Sequence, residues 1–183
     1  MHVLGLAAFV LSAGLNFPAK ICLETGAGDH WVIAQAETIT TRMFAEIGVV
    51  VEWRQSANCN TVPGESLIVQ LSTGAPQDQF PGALAYARLA DGVHIEVFYD
   101  RVSRAVEPRR VPALLAHVLA HEIAHLLEGV GRHSAEGVMK AHWDERDFLE
   151  MADKPLPFAS EDVELIQRGL MSRARASTRR TSP

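Results

Sequence analysis

The sequence predicts an α+β domain. A mixed, twisted sheet of about four to five strands carries a backing helix, a second helix is buried against it, and a small helical part closes the C-terminus. Three observations point there. A strand–helix–strand pattern opens the chain, two strand-like runs meet at Asp91-Gly92, and a helix apolar nearly all round follows them. With 183 residues, 48% of them hydrophobic and 21% charged, the chain suits one globular domain.

Lys20 to Glu24 reads as a short strand that turns at Gly26 and Gly28. Asp29 can cap the helix after it, which places Val32, Ala36, Ile39, Met43 and Ile47 on one face and stops at Gly48. Val49 to Trp53 is a β-branched run suited to a buried strand. The three together form a β-α-β unit, so the two strands are expected to be parallel. Ser66 to Ser72 supplies a third strand, and Ala83–Arg88 with Val93–Tyr99 a hairpin turning at Asp91-Gly92. In its second arm Val93, Ile95, Val97 and Tyr99 face one way and His94, Glu96 and Phe98 the other, the pattern of a strand near a sheet edge or groove.

Pro112 opens the apolar helix, which runs to Glu128 and closes at Gly129 and Gly131. Helices apolar all round lie inside a protein. Ala116, Ala120 and Ala124 form a stripe where another element can come close. Asp144–Met151 and Ser160–Leu170 read as surface helices parted by a loop with Pro155 and Pro157.

At the N-terminus Val3 to Leu11 is apolar and uncharged, the length of a secretory h-region and too short to span a bilayer. Residues 1–19 are the candidate signal peptide, although only His2 stands where basic residues are usual, and a buried first strand is the alternative. Cleavage would make the protein secreted or periplasmic, without stable membrane insertion; otherwise it is cytoplasmic. Export would favour a disulfide between Cys22 and Cys59, and a cytosolic chain two buried thiols. Their spacing fits no cysteine zinc pattern. A single domain over 20–172 is expected, with a disordered basic tail over 173–183 that holds Arg173, Arg175, Arg179 and Arg180. A net charge of −5 offers no general attraction to nucleic acid, and a monomer is expected.

Chemistry concentrates at His121-Glu122-Ile123-Ala124-His125. Residues four apart stand above one another on a helix, so both imidazoles can reach one Zn2+. Glu122 lies about 100° round the helix and borders the same face, placed to take a proton from metal-activated water. His117 could pair with His121, but Val118 would then occupy the base position, so His117 reads as core or support. Catalytic zinc normally takes three protein ligands. The paired glycines let the chain double back, and His133 is the first good ligand after them, with Glu128, His142 and Asp144 in reserve.

The stretch His121 to Met139, HEIAHLLEGVGRHSAEGVM, resembles the active-site segment of metzincins, a branch of the zincin metallopeptidases. The family pattern is HExxHxxGxxH followed by a methionine turn. The resemblance implies a zincin-like fold, peptide or protein substrates, ligands His121, His125 and His133, Glu122 as base, Gly129 as the turning glycine and Met139 as the Met-turn residue. It also implies a substrate-pairing edge strand, a role that falls to Val93–Tyr99 with His94, Glu96 and Phe98. Gly129 stands one residue later than the family glycine and His133 two later than the family's third histidine, whose own position falls on Gly131. The alternative is a catalytically inactive zincin-like domain that binds metal and a protein or peptide partner.

Overall fold

A computed structural model of the chain describes residues 18–55, 59, 66–74 and 82–181. The signal-like run Val3–Leu11 lies outside the described residues. Strand β1 opens at Ala19, inside the segment assigned to the signal.

Among the described residues, five strands form one sheet in the order β2-β1-β3-β5-β4. They are β1 (Ala19–Thr25), β2 (Val51–Gln55), β3 (Leu67–Ser72), β4 (Ala85–Ala87) and β5 (His94–Phe98). Four run parallel, and β4 alone is antiparallel, on β5. The period of two sorts the faces. Ile21, Leu23, Val69, Leu71, Ile95 and Val97 are buried on one, while Glu24, Gln70, His94 and Glu96 line a small polar hollow on the other. Cys22 and Cys59 are disulfide-bonded, which ties β1 to the segment beyond β2.

The buried face meets two helices, α1 (His30–Glu46) and α3 (Val111–Glu128), which pack on each other. Asp29 caps α1 by accepting from the N–H groups of Trp31 and Val32. The face α1 buries is turned from the expected one: Ile33, Ala36, Thr40, Met43 and Phe44 point inward. Thr40 can do so because its hydroxyl donates to the Ala116 carbonyl at 3.1 Å, on the alanine stripe of α3. Every residue of α3 except Ala113 is buried.

Helix α2 (Tyr99–Ala105) follows β5 directly, where the sequence suggested one more strand residue. Helix α4 (Glu145–Asp153) starts at an Asp144–Asp147 capping box. Helix α5 (Ser160–Thr181) corrects the expected tail, since residues from 173 to 181 continue it. Arg173 donates to the Gly92 and Leu126 carbonyls, at 2.5 and 2.9 Å, so it packs instead of trailing in solvent. Gly169 brings α5 against the end of α3, where a Cβ would collide with the Leu127 carbonyl. Among the described residues no helix is long and apolar enough to cross a membrane.

Candidate metal centre and its cleft

Helix α3 ends at Gly129, whose φ of +72° is the left-handed turn that glycine adopts without strain. The chain then folds back beneath the helix. The two-residue displacement of His133 is absorbed in this loop: the ring reaches His121, stacked with centroids 5.3 Å apart, and His125 at 5.0 Å. One nitrogen from each of the three imidazoles lies within 4.8 Å of the others. Four-residue spacing sets the His121 and His125 Nε2 atoms 3.0 Å apart. His133 is the exposed member of the cluster.

Each helix histidine commits its other nitrogen to the loop. His121 Nδ1 donates to the Val138 carbonyl at 2.9 Å and His125 Nδ1 to that of Val130 at 3.3 Å. With Nδ1 as the donor, the Nε2 lone pair is left for a cation. Burial lowers the pKa of His121 to about 4, with the charges of His125 and His133 acting in the same direction. His125 and His133 are lowered too, again chiefly by burial. Neutral imidazoles are the form that binds metal. Two tetrahedral ligands about 2.0 Å from one zinc ion stand roughly 3.3 Å apart, close to the observed pair. The donor set therefore fits zinc.

Glu122 is also buried, and its carboxyl accepts from the Ala87 backbone N–H on β4. Desolvation outweighs that bond and raises its pKa to about 8. The histidines and Glu122 line a cleft of about 680 Å³, bounded by Gly82–Ala87 on one side and by Lys140–Trp143 and Phe148 on the other. Trp143 stands edge-on to His121, with ring centroids 5.5 Å apart.

The remaining candidates separate cleanly. His117 is core: its Nδ1 donates to the Ala113 carbonyl at 2.7 Å and its Nε2 accepts from the Leu156 N–H at 2.9 Å. Glu128 faces Arg132 at 4.0 Å, and neither of its oxygens is hydrogen-bonded among the described residues. Asp144 caps α4. His142 lines the cleft outside the three-histidine cluster. Met139 is fully buried, one residue past the carbonyl that holds His121.

The substrate-strand assignment needs correction. Strand β5 is hydrogen-bonded on both sides, by β3 and β4, so it has no free edge. His94 and Glu96 lie on the sheet's opposite face, where Glu96 accepts from Ser72 and Tyr86, and Phe98 is buried. On this side of the sheet the edge strand is β4. Arg88 N–H pairs with the His94 carbonyl and Phe98 N–H with that of Leu84. Strand geometry therefore turns the Ala85 and Ala87 backbone groups away from β5. The hairpin signal was visible in the sequence; that its first arm lies outermost was not. Asp162, whose contacts reach the residues beside His133, was also missed, because it is remote in sequence.

No family model matches the chain, and no curated protein matches it by sequence. Among solved structures it is similar to archaemetzincin from Methanopyrus kandleri, with 20% sequence identity and a TM-score of 0.54. The match covers 88% of this chain and 99% of that one. The likeness is one of fold: this chain has an α+β fold of the archaemetzincin kind, and its buried central helix bears two of three histidines that could hold a metal ion.

Proposed function

We propose that the chain is a zinc-dependent metallopeptidase, with His121, His125 and His133 as the zinc ligands and Glu122 as the general base. The observation that carries this reading is the convergence of three imidazole nitrogens within 4.8 Å beside a buried carboxyl in one open cleft. Zinc bound there would supply a Lewis acid that polarises a substrate carbonyl and makes water easier to deprotonate.

The protein's own groups do the rest. Glu122 takes a proton from water and returns it to the leaving amine. Burial helps, since a carboxyl with a pKa raised towards neutrality can both accept and release a proton near pH 7. The Ala87 N–H orients that carboxyl. Next to it, the outward Ala85 N–H and carbonyl offer an extended peptide two main-chain hydrogen bonds. Trp143, Phe148 and Val118 give the cleft apolar wall for a substrate side chain. Met139 is the proposed Met-turn residue, a buried apolar floor beneath the loop. The disulfide suits an oxidising compartment, and with the apolar run at Val3–Leu11 it supports export.

The test is metal content together with cleavage of a mixed peptide library. Wild type should hold one zinc per chain and His121→Ala should lose it. Glu122→Gln should keep zinc while cleavage falls by about 10²–10⁴-fold, the range for a lost general base. Bound zinc without cleavage, unchanged by Glu122→Gln, would instead favour a binding domain.

A further inference from the structure

Of the three clustered imidazoles, His133 is the least secured by its own contacts. His121 and His125 stand on a buried helix with Nδ1 bonded to backbone. His133 sits exposed on a loop, and its ring packs against the other two imidazoles. Its backbone must therefore be held from either side.

Both neighbours in sequence reach the same carboxylate. Arg132 Nη1 and the Ser134 hydroxyl donate to Asp162 Oδ1, at 2.5 and 2.6 Å. The second oxygen, Oδ2, accepts from the Ala159 N–H at 3.1 Å. Asp162 is completely buried, in the first turn of α5. A buried carboxylate is tolerated when its lone pairs are satisfied, and here three donors meet it, one of them cationic. Arg132 is gripped further by Glu161 at 2.6 Å, with Glu128 at 4.0 Å. Helix α5 is in turn seated on α3 by the close approach at Gly169 and by the bond from Arg173 to the Leu126 carbonyl. The Ser134 N–H also closes the loop onto the Met139 carbonyl at 2.8 Å.

We infer that Asp162 is a positioning residue for the third metal ligand: by clamping Arg132 and Ser134 it holds His133 at the site, so α5 sets metal affinity without contributing a ligand. This inference rests on the three-histidine site proposed above. Without the clamp, residues 132–134 lose their anchor, and binding metal must then order the loop at that moment, which weakens affinity. Losing such an outer partner typically costs 10–100-fold in metal affinity.

Zinc affinity of the full chain, measured by competition with a chromogenic chelator, tests it. Asp162→Ala should weaken zinc binding about 10–100-fold. Ser134→Ala, a milder change that leaves the buried ion pair intact, should weaken it in the same direction. Asp162→Asn keeps an acceptor for Arg132 and Ser134 but sets its amide N–H against the Ala159 N–H, and should recover part of the affinity. The Co2+-loaded Asp162→Ala protein should show d–d absorption shifted towards that of His133→Ala. Val69→Ala, a core change in β3 far from the loop, lowers the melting temperature of the metal-free protein and should leave zinc affinity unchanged. Wild-type affinity in both Asp162→Ala and Ser134→Ala, or losses no larger than in Val69→Ala, overturns the inference and leaves the metal site standing. A wild-type chain that binds no zinc overturns both.

Discussion

Replacing His117 with glutamine is expected to flatten the acid limb of the stability curve of the metal-free protein. His117 is fully buried, donating through Nδ1 and accepting through Nε2. A second proton would set an N–H against the Leu156 N–H, and the charge would be stranded in the core. Burial accordingly lowers its pKa from 6.5 to about 4. The sign follows from linkage: between those values the unfolded chain binds the proton and the folded chain does not, so stability falls as pH drops. The gap between 6.5 and about 4 is worth about 3 kcal/mol in all, at roughly 1.36 kcal/mol per pH unit. Urea unfolding in chelator at pH 7 and pH 4.5 samples most of that window. Wild type should lose about 2 kcal/mol more between the two than His117→Gln does. His121, also lowered to about 4, contributes its own slope to both proteins and cancels in the comparison. Equal pH dependence in the two proteins would refute the reasoning, because His117 would then not be buried neutral.

Other consequences are open to direct measurement. Ala85→Pro removes an N–H that points away from β5, so the sheet should tolerate it while kcat/KM falls about tenfold and zinc stays bound, as metal analysis with steady-state kinetics would show. Gly169→Ala should lower stability by about 1–3 kcal/mol in urea unfolding, since its Cβ collides with the Leu127 carbonyl and α5 must shift. Replacing both Cys22 and Cys59 with alanine opens a cross-link spanning 37 residues and should cost about 2–4 kcal/mol by the same assay.

Much of the molecule is written in local pattern. The His-Glu-x-x-His spacing on a helix apolar nearly all round, closed by Gly129, located two imidazoles and the carboxyl because helical geometry alone relates them. The β1–α1–β2 unit was legible for the same reason, from its periods, its cap and its stop. What escaped is what depends on distant partners. Thr40 turns the buried face of α1 inward only because a carbonyl on α3 accepts its hydroxyl. The Arg-rich end of α5 lacks an apolar face, and Arg173 is held by backbone carbonyls that no sequence pattern announces. Tyr99 continues the alternation of β5, yet it begins α2. Which hairpin arm is outermost depends on β5 pairing with β3 rather than on anything in the hairpin itself.

Among the described residues, the cleft draws its lining from residues 82 to 148 and the clamp behind it from residues 132 to 162. The described residues from β1 to β3 lend no side chain to either; they are foundation. Tolerance to substitution should divide the same way. Along β1, α1, β2 and β3, apart from the disulfide at Cys22 and the buried hydroxyl of Thr40, a change need only respect volume and polarity, so many sequences would serve. Beyond residue 82 identity itself counts at several positions. A saturation library scored for folding would thus tolerate both halves alike, and one scored for function would thin out almost entirely in the second.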